Sequence, residues 1–340
     1  MKVRIITKGL SHDEWLEARS QGIGGSDAGT ILGVNPYKGR LELWLEKSGR
    51  KPNTFTGNEA TRLGQAFERP IAEVYAQSIA DQGLVVVAWP VILEGSYDWQ
   101  LGNVDFFVCR TTDANFAQFK TGVVNDWDGY DAPPLIQSIL EIKTSGLAGR
   151  GNADAWSNGS VPAGYRAQGC HYASVTGIHD VTFVCLIGGQ GIVTRDVTYT
   201  PEELFELEQA ENRFWYNVMS DTEPEATAND LEALKSRYPV STDQVVEADD
   251  IVLGLYREYK AQKAIVDSAD EELKRLRAQL EQIIGSAQAV MYEDEILFTY
   301  KSNKVSETFD SKAFKDAHPE IVAQFTVSKP GARVLRMVAE

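Results

Sequence analysis

The stretch SILEIKTSG, residues 138–146, sets the first constraint on the fold. Ile139, Leu140 and Ile142 give it the apolar character of a strand, and a strand's period of two places Glu141 and Lys143 on one face. A carboxylate and an ammonium among such neighbours are costly to bury unless they pair or hold a metal ion. The alternative is an edge strand whose polar face is solvated.

A second strand is expected upstream in LGNVDFFVC, residues 101–109, with Asn103, Asp105 and Phe107 on one face and Val104, Phe106 and Val108 on the other. If the two strands are neighbours, Asp105 and Glu141 converge at their ends, which suits a hard divalent cation such as Mg²⁺ that takes oxygen ligands and keeps waters. Lys143 would then orient or help deprotonate an attacking water, or stabilise charge on a phosphate. Taken alone, a Glu-x-Lys pair in a strand is usually a solvated or ion-paired face. A helix is expected over 58–81, with Leu63, Phe67, Ile71, Val74 and Tyr75 at helical spacing. Glu68 lies four residues after Gly64, so the glycine leaves room beside the carboxylate. A surface glutamate and a helix-packing glycine are the plainer readings of that pair.

Other signals outline the rest. SHDEWLEARS at 11–20 reads as a helix capped by Ser11, and in QGIGGSDAGTILG the glycines break it before Ser26 caps another. An amphipathic helix at 40–49 closes on Gly49. Strands are expected at 84–93 and 180–189, and helices at 165–177 and 201–218. A turn-rich segment spans 110–134. The helix expected over 250–284 spaces Leu273, Leu276, Leu280 and Ile283 as in a coiled coil, suited to oligomerisation or partner docking, or else to packing on its own core. ILFTYKSN and ARVLRMV are strand candidates around a helical SKAFKDAHPEIVAQF. The domain plan is a core over 1–222, an acidic linker over 223–248, and a helical arm with a small α+β unit over 249–340.

Composition excludes some classes. The 340 residues contain no apolar run near the roughly 18–20 residues of a membrane span, and the N-terminal stretch lacks a signal-peptide core, so a cytoplasmic protein is expected. Cys109, Cys170 and Cys185 are isolated, which argues against a disulfide framework or a zinc ribbon. The net charge of −16 disfavours a nucleic-acid partner until its distribution is considered. Residues 201–250 carry 14 acidic and 3 basic side chains, whereas residues 1–70 carry 8 acidic and 11 basic. The N-terminal part can therefore still present positive charge to phosphates.

The order of several motifs adds a resemblance. RSQGIGGSDAGTILGVNPYKGRLELWLEKSG, RLGQAFERPIAEVY, LGNVDFF, LEIKTS and VPAGYRAQGCHYASVTG follow one another as in the YqaJ-type viral recombinase family, which is similar to the exonuclease of bacteriophage lambda. The resemblance covers roughly residues 15–190 and implies an α/β fold with the PD-(D/E)XK nuclease core, a central mixed sheet flanked by helices. It implies that Asp105, Glu141 and the carbonyl of Ile142 bind Mg²⁺ or Mn²⁺, and that Lys143 is the catalytic lysine. Glu68 matches a glutamate that helps hold the metal or its waters, and Gln168 the glutamine of the following helix. Arg19 and Ser26 match the pair that grips a terminal 5′ phosphate. The pair before Asp105 is Asn103-Val104 rather than the frequent Ser/Thr-Pro, so a hydroxyl contact to phosphate is lost there.

The activity implied is a metal-dependent 5′-to-3′ exonuclease on double-stranded DNA that leaves 3′ single strands for an annealing protein. A phage or prophage origin in a bacterial host and a homo-oligomer are implied too. An endonuclease or single-strand nuclease of the same fold remains open, as does a non-catalytic DNA-end-binding protein, because fold alone does not choose among them. Retention of Asp105, Glu141 and Lys143 together disfavours the last.

Overall fold

A computed structural model describes residues 1–51, 58–111, 119–146, 152–328, 331 and 333–338. The chain divides into two compact units, Met1–Ser236 and Arg237–Glu340. The first begins with β1 (Lys2–Ile6) and α1 (His12–Ser20), which Ser11 caps with Glu14 in a reciprocal capping box. Strand β2 (Ile23–Gly24), α2 (Gly25–Ile31) and α3 (Arg40–Lys47) follow, with Gly49 turning the chain after α3 at a φ of 71°. Helix α4 (Glu59–Ser78) starts from an Asn58 cap. Its buried face is Ile71, Ala72 and Ala76, continued by Ile79, whereas Leu63, Phe67 and Val74 of the expected apolar stripe are exposed. The alanines let the helix lie close on the sheet.

Two apolar runs expected as single strands are each cut in two. In the first, Pro90 separates β3 (Leu84–Ala88) from β4 (Val91–Glu94), and the two join different sheets. Proline has no N–H for a ladder, so pairing stops there. In the second, β5 (Gln100–Gly102) stays with β4 while β6 (Phe106–Arg110) joins the larger sheet. Asp105 therefore stands in the break directly before β6 and not on a continuous strand face.

Strand β7 (Val124–Asp126) lies in the segment expected to be turn-rich. Then come β8 (Ile136–Ser145), α5 (Asn152–Ser157), α6 (Ala163–Thr176), β9 (Asp180–Ile187), β10 (Gly191–Thr198), α7 (Pro201–Met219) and α8 (Leu231–Arg237). Strands β1 and β10 had no sequence expectation.

The large sheet runs β10-β9-β8-β6-β3-β7. It is mixed: β8 with β9 and β3 with β7 are parallel, and the other neighbours are antiparallel. One face packs on α4 through Val86, Phe106, Leu140 and Val184. The other, through Val87, Phe107, Ile139 and Phe183, packs on a layer that includes Tyr172 and Ala173 of α6 and Leu207 of α7. A central mixed sheet flanked by helices is the expected fold class. A smaller sheet has the order β1-β4-β5-β2.

Residues 227–236, expected to be linker, belong to the first unit. Asp230 is fully buried and accepts the Glu42 backbone N–H at 2.9 Å in the first turn of α3. The acidic composition hid a residue that caps a helix from 188 positions away.

In the second unit α9 (Asp250–Ile284), capped by Asp249, leads to a hairpin of β11 (Ala289–Tyr292) and β12 (Glu295–Thr299), then α10 (Ser311–Ala317) and α11 (Pro319–Phe325). The hairpin partner of β12 is thus the segment before it, and the described residues of ARVLRMV form no strand. Among the described residues no helix is long and apolar enough to cross a membrane.

Candidate active site

Strand β8 lies between β9 and β6, so Glu141 and Lys143 do not stand on a solvated edge. Phe106 pairs with Leu140 in the antiparallel β6–β8 ladder, which brings Asp105, one residue before β6, opposite Glu141. Beyond Leu140 the ladder to β6 has ended, while β8 continues to pair with β9 as far as Ser145. The Ile142 N–H turns to the vacated side and donates to Asp105 Oδ2 at 3.0 Å. In an extended strand the N–H and C=O of one residue point to the same side, so the Ile142 carbonyl faces that opening as well.

Glu141 is fully buried. Its Oε1 accepts the Gln168 side-chain amide at 2.7 Å and the Lys143 ammonium, while Oε2 has no protein partner. Gln168 also donates to the Tyr172 hydroxyl at 3.2 Å, and Lys143 lies over the Tyr165 ring at 5.1 Å. Both tyrosines come from α6, one turn on either side of Gln168.

Electrostatics follow from this crowding. Burial and the neighbouring Asp105 carboxylate push Glu141 up to about 8. Burial likewise raises Asp105, although Lys143, the Ile142 N–H and a side-chain hydrogen bond with Glu141 oppose it. Glu68 rises to about 7 through burial and the charge of Asp105. Burial alone would lower Lys143, but the Glu141 and Asp105 charges hold it above its ordinary value. Both carboxyls are thus pushed toward their protonated forms, and a cation held by them would relieve the same repulsion.

The donor set fits a hard divalent ion of this kind. It offers the orphaned Glu141 Oε2, the Asp105 carboxylate and the Ile142 carbonyl, with the remaining positions left to water. Among the described residues no group of three or more His, Cys, Asp or Glu side chains is placed to ligate a metal, so Glu68 acts on the site at longer range. Gly64 faces β8, where a Cβ would meet Thr144 Oγ1 at an ordinary 3.6 Å.

Arg19 and Ser26 are brought together, with Arg19 Nη2 donating to Ser26 Oγ at 3.3 Å. Ser26 is not the cap of α2. Gly24 holds that position, and its N–H donates to Asp27 Oδ2 at 3.0 Å, which leaves the exposed Ser26 hydroxyl free of capping. The Arg19 guanidinium lies over Trp15 at 4.4 Å, and the Trp15 indole N–H donates to Asn103 at 3.4 Å. Asn103, which replaces an expected hydroxyl residue, thereby anchors the platform under Arg19. Arg19 also acts electrostatically on Asp105, so the two groups of expected site residues share one field.

Three features had little sequence signal. Asp27 pairs with Lys47 at 2.8 Å, and despite burial the lysine holds its carboxyl below the usual range. Gly25 sits so close to α6 that a Cβ would stand 2.6 Å from Tyr172 Cε1 and 3.1 Å from Gln168 Cγ. His171 is fully buried, with Nδ1 2.6 Å from Glu211 Oε1 and Nε2 donating to the Leu101 carbonyl at 2.9 Å. Zero exposure makes it structural and not DNA-facing.

The chain is similar to several known proteins. The curated "Uncharacterized protein YqaJ" of Bacillus subtilis (strain 168) is 27% identical over 322 residues, covering 92% of this chain and 90% of its own length. Among solved structures, an alkaline exonuclease from Laribacter hongkongensis gives a TM-score of 0.45 at 16% identity, over 67% of this chain and 98% of its own. A phage-related exonuclease from Haemophilus somnus 129PT gives 0.41 at 14% identity, over 59% and 96% respectively. The model of the YqaJ-like viral recombinase domain matches residues 14–179, the span that holds Arg19, Ser26, Glu68, Asp105, Glu141, Lys143 and Gln168.

Proposed function

We propose that the protein is a Mg²⁺- or Mn²⁺-dependent deoxyribonuclease that digests double-stranded DNA from a 5′ end and leaves 3′ single-stranded tails. The observation that carries this reading is the buried Glu141 Oε2, without a protein partner, beside Asp105 and Lys143 at the opening in the ladder between β6 and β8. A bound divalent cation would supply Lewis-acid stabilisation of the charge that develops on the phosphate. Asp105, Glu141 and the Ile142 carbonyl would hold it, with Gln168 fixing the Glu141 rotamer through Oε1.

Lys143, kept protonated by the two carboxylates, presents positive charge for the scissile phosphate and orients the attacking water. Glu68, with its carboxyl near neutrality, is suited to accept a proton from that water's surroundings. Arg19 and Ser26 offer a guanidinium and a free hydroxyl side by side for the terminal 5′ phosphate. A single-strand annealing protein would take the product strands, in the cytoplasm of a bacterial host that carries the gene in a phage or prophage.

The test is digestion of linear duplexes with 5′-phosphate or 5′-hydroxyl ends, in Mg²⁺ or EDTA, beside a closed circle and a Glu141→Ala control. Metal-dependent loss of the linear duplex alone, faster with 5′ phosphate and absent in the variant, is the expected result. Cutting of the closed circle would reassign the protein as an endonuclease. No digestion with either metal would leave an end-binding protein.

A further inference from the structure

Tyr165 has no part in the chemistry described above. It stands three residues before Gln168 on α6, so the two side chains share a helix face. They meet the two residues that share a face of β8. Gln168 donates to Glu141 at 2.7 Å, and the Lys143 ammonium lies over the Tyr165 ring, with Nζ 5.1 Å from its centre. The charged head of the lysine, and not only its stem, therefore lies over the π face. With 14% of its side chain exposed, Lys143 has little water to weaken that attraction.

The ring is itself held in place. Trp156 of α5 is fully buried and stacks on it, with centroids 6.2 Å apart and planes 29° from parallel. The Trp156 carbonyl accepts Arg195 Nη2 at 2.8 Å, which ties α5 to β10. Lys143 is thus held by two groups of different kind, the Glu141 carboxylate and an aromatic face.

The difference matters once Glu141 ligates a cation. Its charge is then shared with the ion, and the ion repels the ammonium. An aromatic face keeps its attraction, because it carries no net charge and is a poor ligand for a hard ion that takes oxygen donors. A carboxylate in the same place would be drawn to the ion instead. We propose that Tyr165 is a positioning residue for Lys143, its ring holding the ammonium in the site by a cation–π contact when Glu141 turns to the metal. Its role in turnover rests on the nuclease reading, whereas the contact does not.

The full chain tests it with Tyr165→Phe as the reference ring and successively fluorinated phenylalanines at the same position, which weaken the π face at nearly constant shape. In EDTA the melting temperature should fall by roughly 2–4 °C along the series when Lys143 is present, and stay level in a parallel series carrying Lys143→Met. In Mn²⁺, kcat on linear duplex should fall stepwise along the series, and at least about tenfold in Tyr165→Leu, with KM for DNA within about twofold. A packing role alone would respond to Tyr165→Leu but not to fluorination. Equal melting slopes with Lys143 and with Lys143→Met, or a kcat indifferent to fluorination in a protein that cleaves DNA, would overturn the proposal. An unsubstituted protein that cleaves no DNA would overturn the nuclease reading and with it the role in turnover, while the melting series still decides the contact.

Discussion

Gln168 donates to Glu141 Oε1 at 2.7 Å, the same oxygen that takes the Lys143 ammonium, and so the other oxygen of this buried carboxylate is left for an external partner. Gln168 fixes the rotamer without touching the open oxygen. Gln168→Ala should cost roughly 10–100-fold in activity or cation affinity, as is usual when a partner that orients a metal ligand is removed. Cleavage rates titrated against Mn²⁺ measure it. Activity within twofold of the unsubstituted protein would deny the residue that role.

Cation binding should be proton-linked. Glu68 and Glu141 are raised to about 7 and about 8, so each favours its protonated form in the fold. Their contribution to stability is full below the unfolded pKa near 4.5 and is lost as pH rises through the folded values. His171, which Glu211 holds high against burial, acts in the same direction. In EDTA the melting temperature should fall between pH 5.5 and 8.5 by roughly 5 °C. Excess Mn²⁺ should raise it more at pH 8.5 than at pH 6.0, because the ion needs ionised carboxylates. A flat profile in EDTA would contradict the raised Glu68 and Glu141 carboxyls.

The His171–Glu211 pair ties α6 to α7 and, through the Leu101 carbonyl, to β5. His171→Ala leaves the Glu211 carboxylate buried alone, which costs about 3–5 kcal/mol. Replacing both with alanine should cost clearly less than the sum of the single changes, with a coupling of about 1 kcal/mol or more in a thermal or denaturant cycle. Additive losses would mean that the pair does not act as a unit.

Two glycines should respond oppositely to alanine. At Gly25 the new methyl would lie 2.6 Å from the buried Tyr172 ring, so Gly25→Ala should destabilise by about 1–3 kcal/mol and displace Gln168 as well. At Gly64 the nearest atom is Thr144 Oγ1 at 3.6 Å and the residue is helical, so Gly64→Ala should be neutral or stabilising by up to about 1 kcal/mol. Equal melting temperatures for the two variants would refute the close approach of α2 to α6.

Arg19 should act on the substrate end more than on the chemistry. Arg19→Lys keeps the charge but loses the forked donors and the stacking on Trp15, so preference for 5′-phosphorylated over 5′-hydroxyl ends should fall several-fold. Turnover on hydroxyl ends should change little. An equal loss on both substrates would place Arg19 in the cleavage step.

Much was legible before any coordinates. Period-two alternation identified β8, and the caps at Ser11 and Gly49 fixed helix ends, because these signals depend on residues adjacent in sequence. The same local logic misled where a run crosses between sheets. LVVVAWPVIL and LGNVDFFVC have strand composition throughout, but Pro90 and the break at 103–105 send their halves to different partners. The stripe on α4 misled for a related reason, since Ala72 and Ala76, weak as hydrophobic signals, are what the sheet accepts at close range.

The sequence by itself determined that Glu141 and Lys143 share a strand face, and the order of its motifs singled out Asp105, Glu68, Gln168, Arg19 and Ser26. Only the tertiary structure decided that β8 is interior, that Asp105 falls opposite Glu141 where β6 ends, that His171 is locked to Glu211, and that Asp230 belongs to the first unit. The physical reason is range. Periodicity and capping act over a few residues, whereas a buried charge is tolerable only when its partner arrives from elsewhere in the chain, and that meeting is settled by packing.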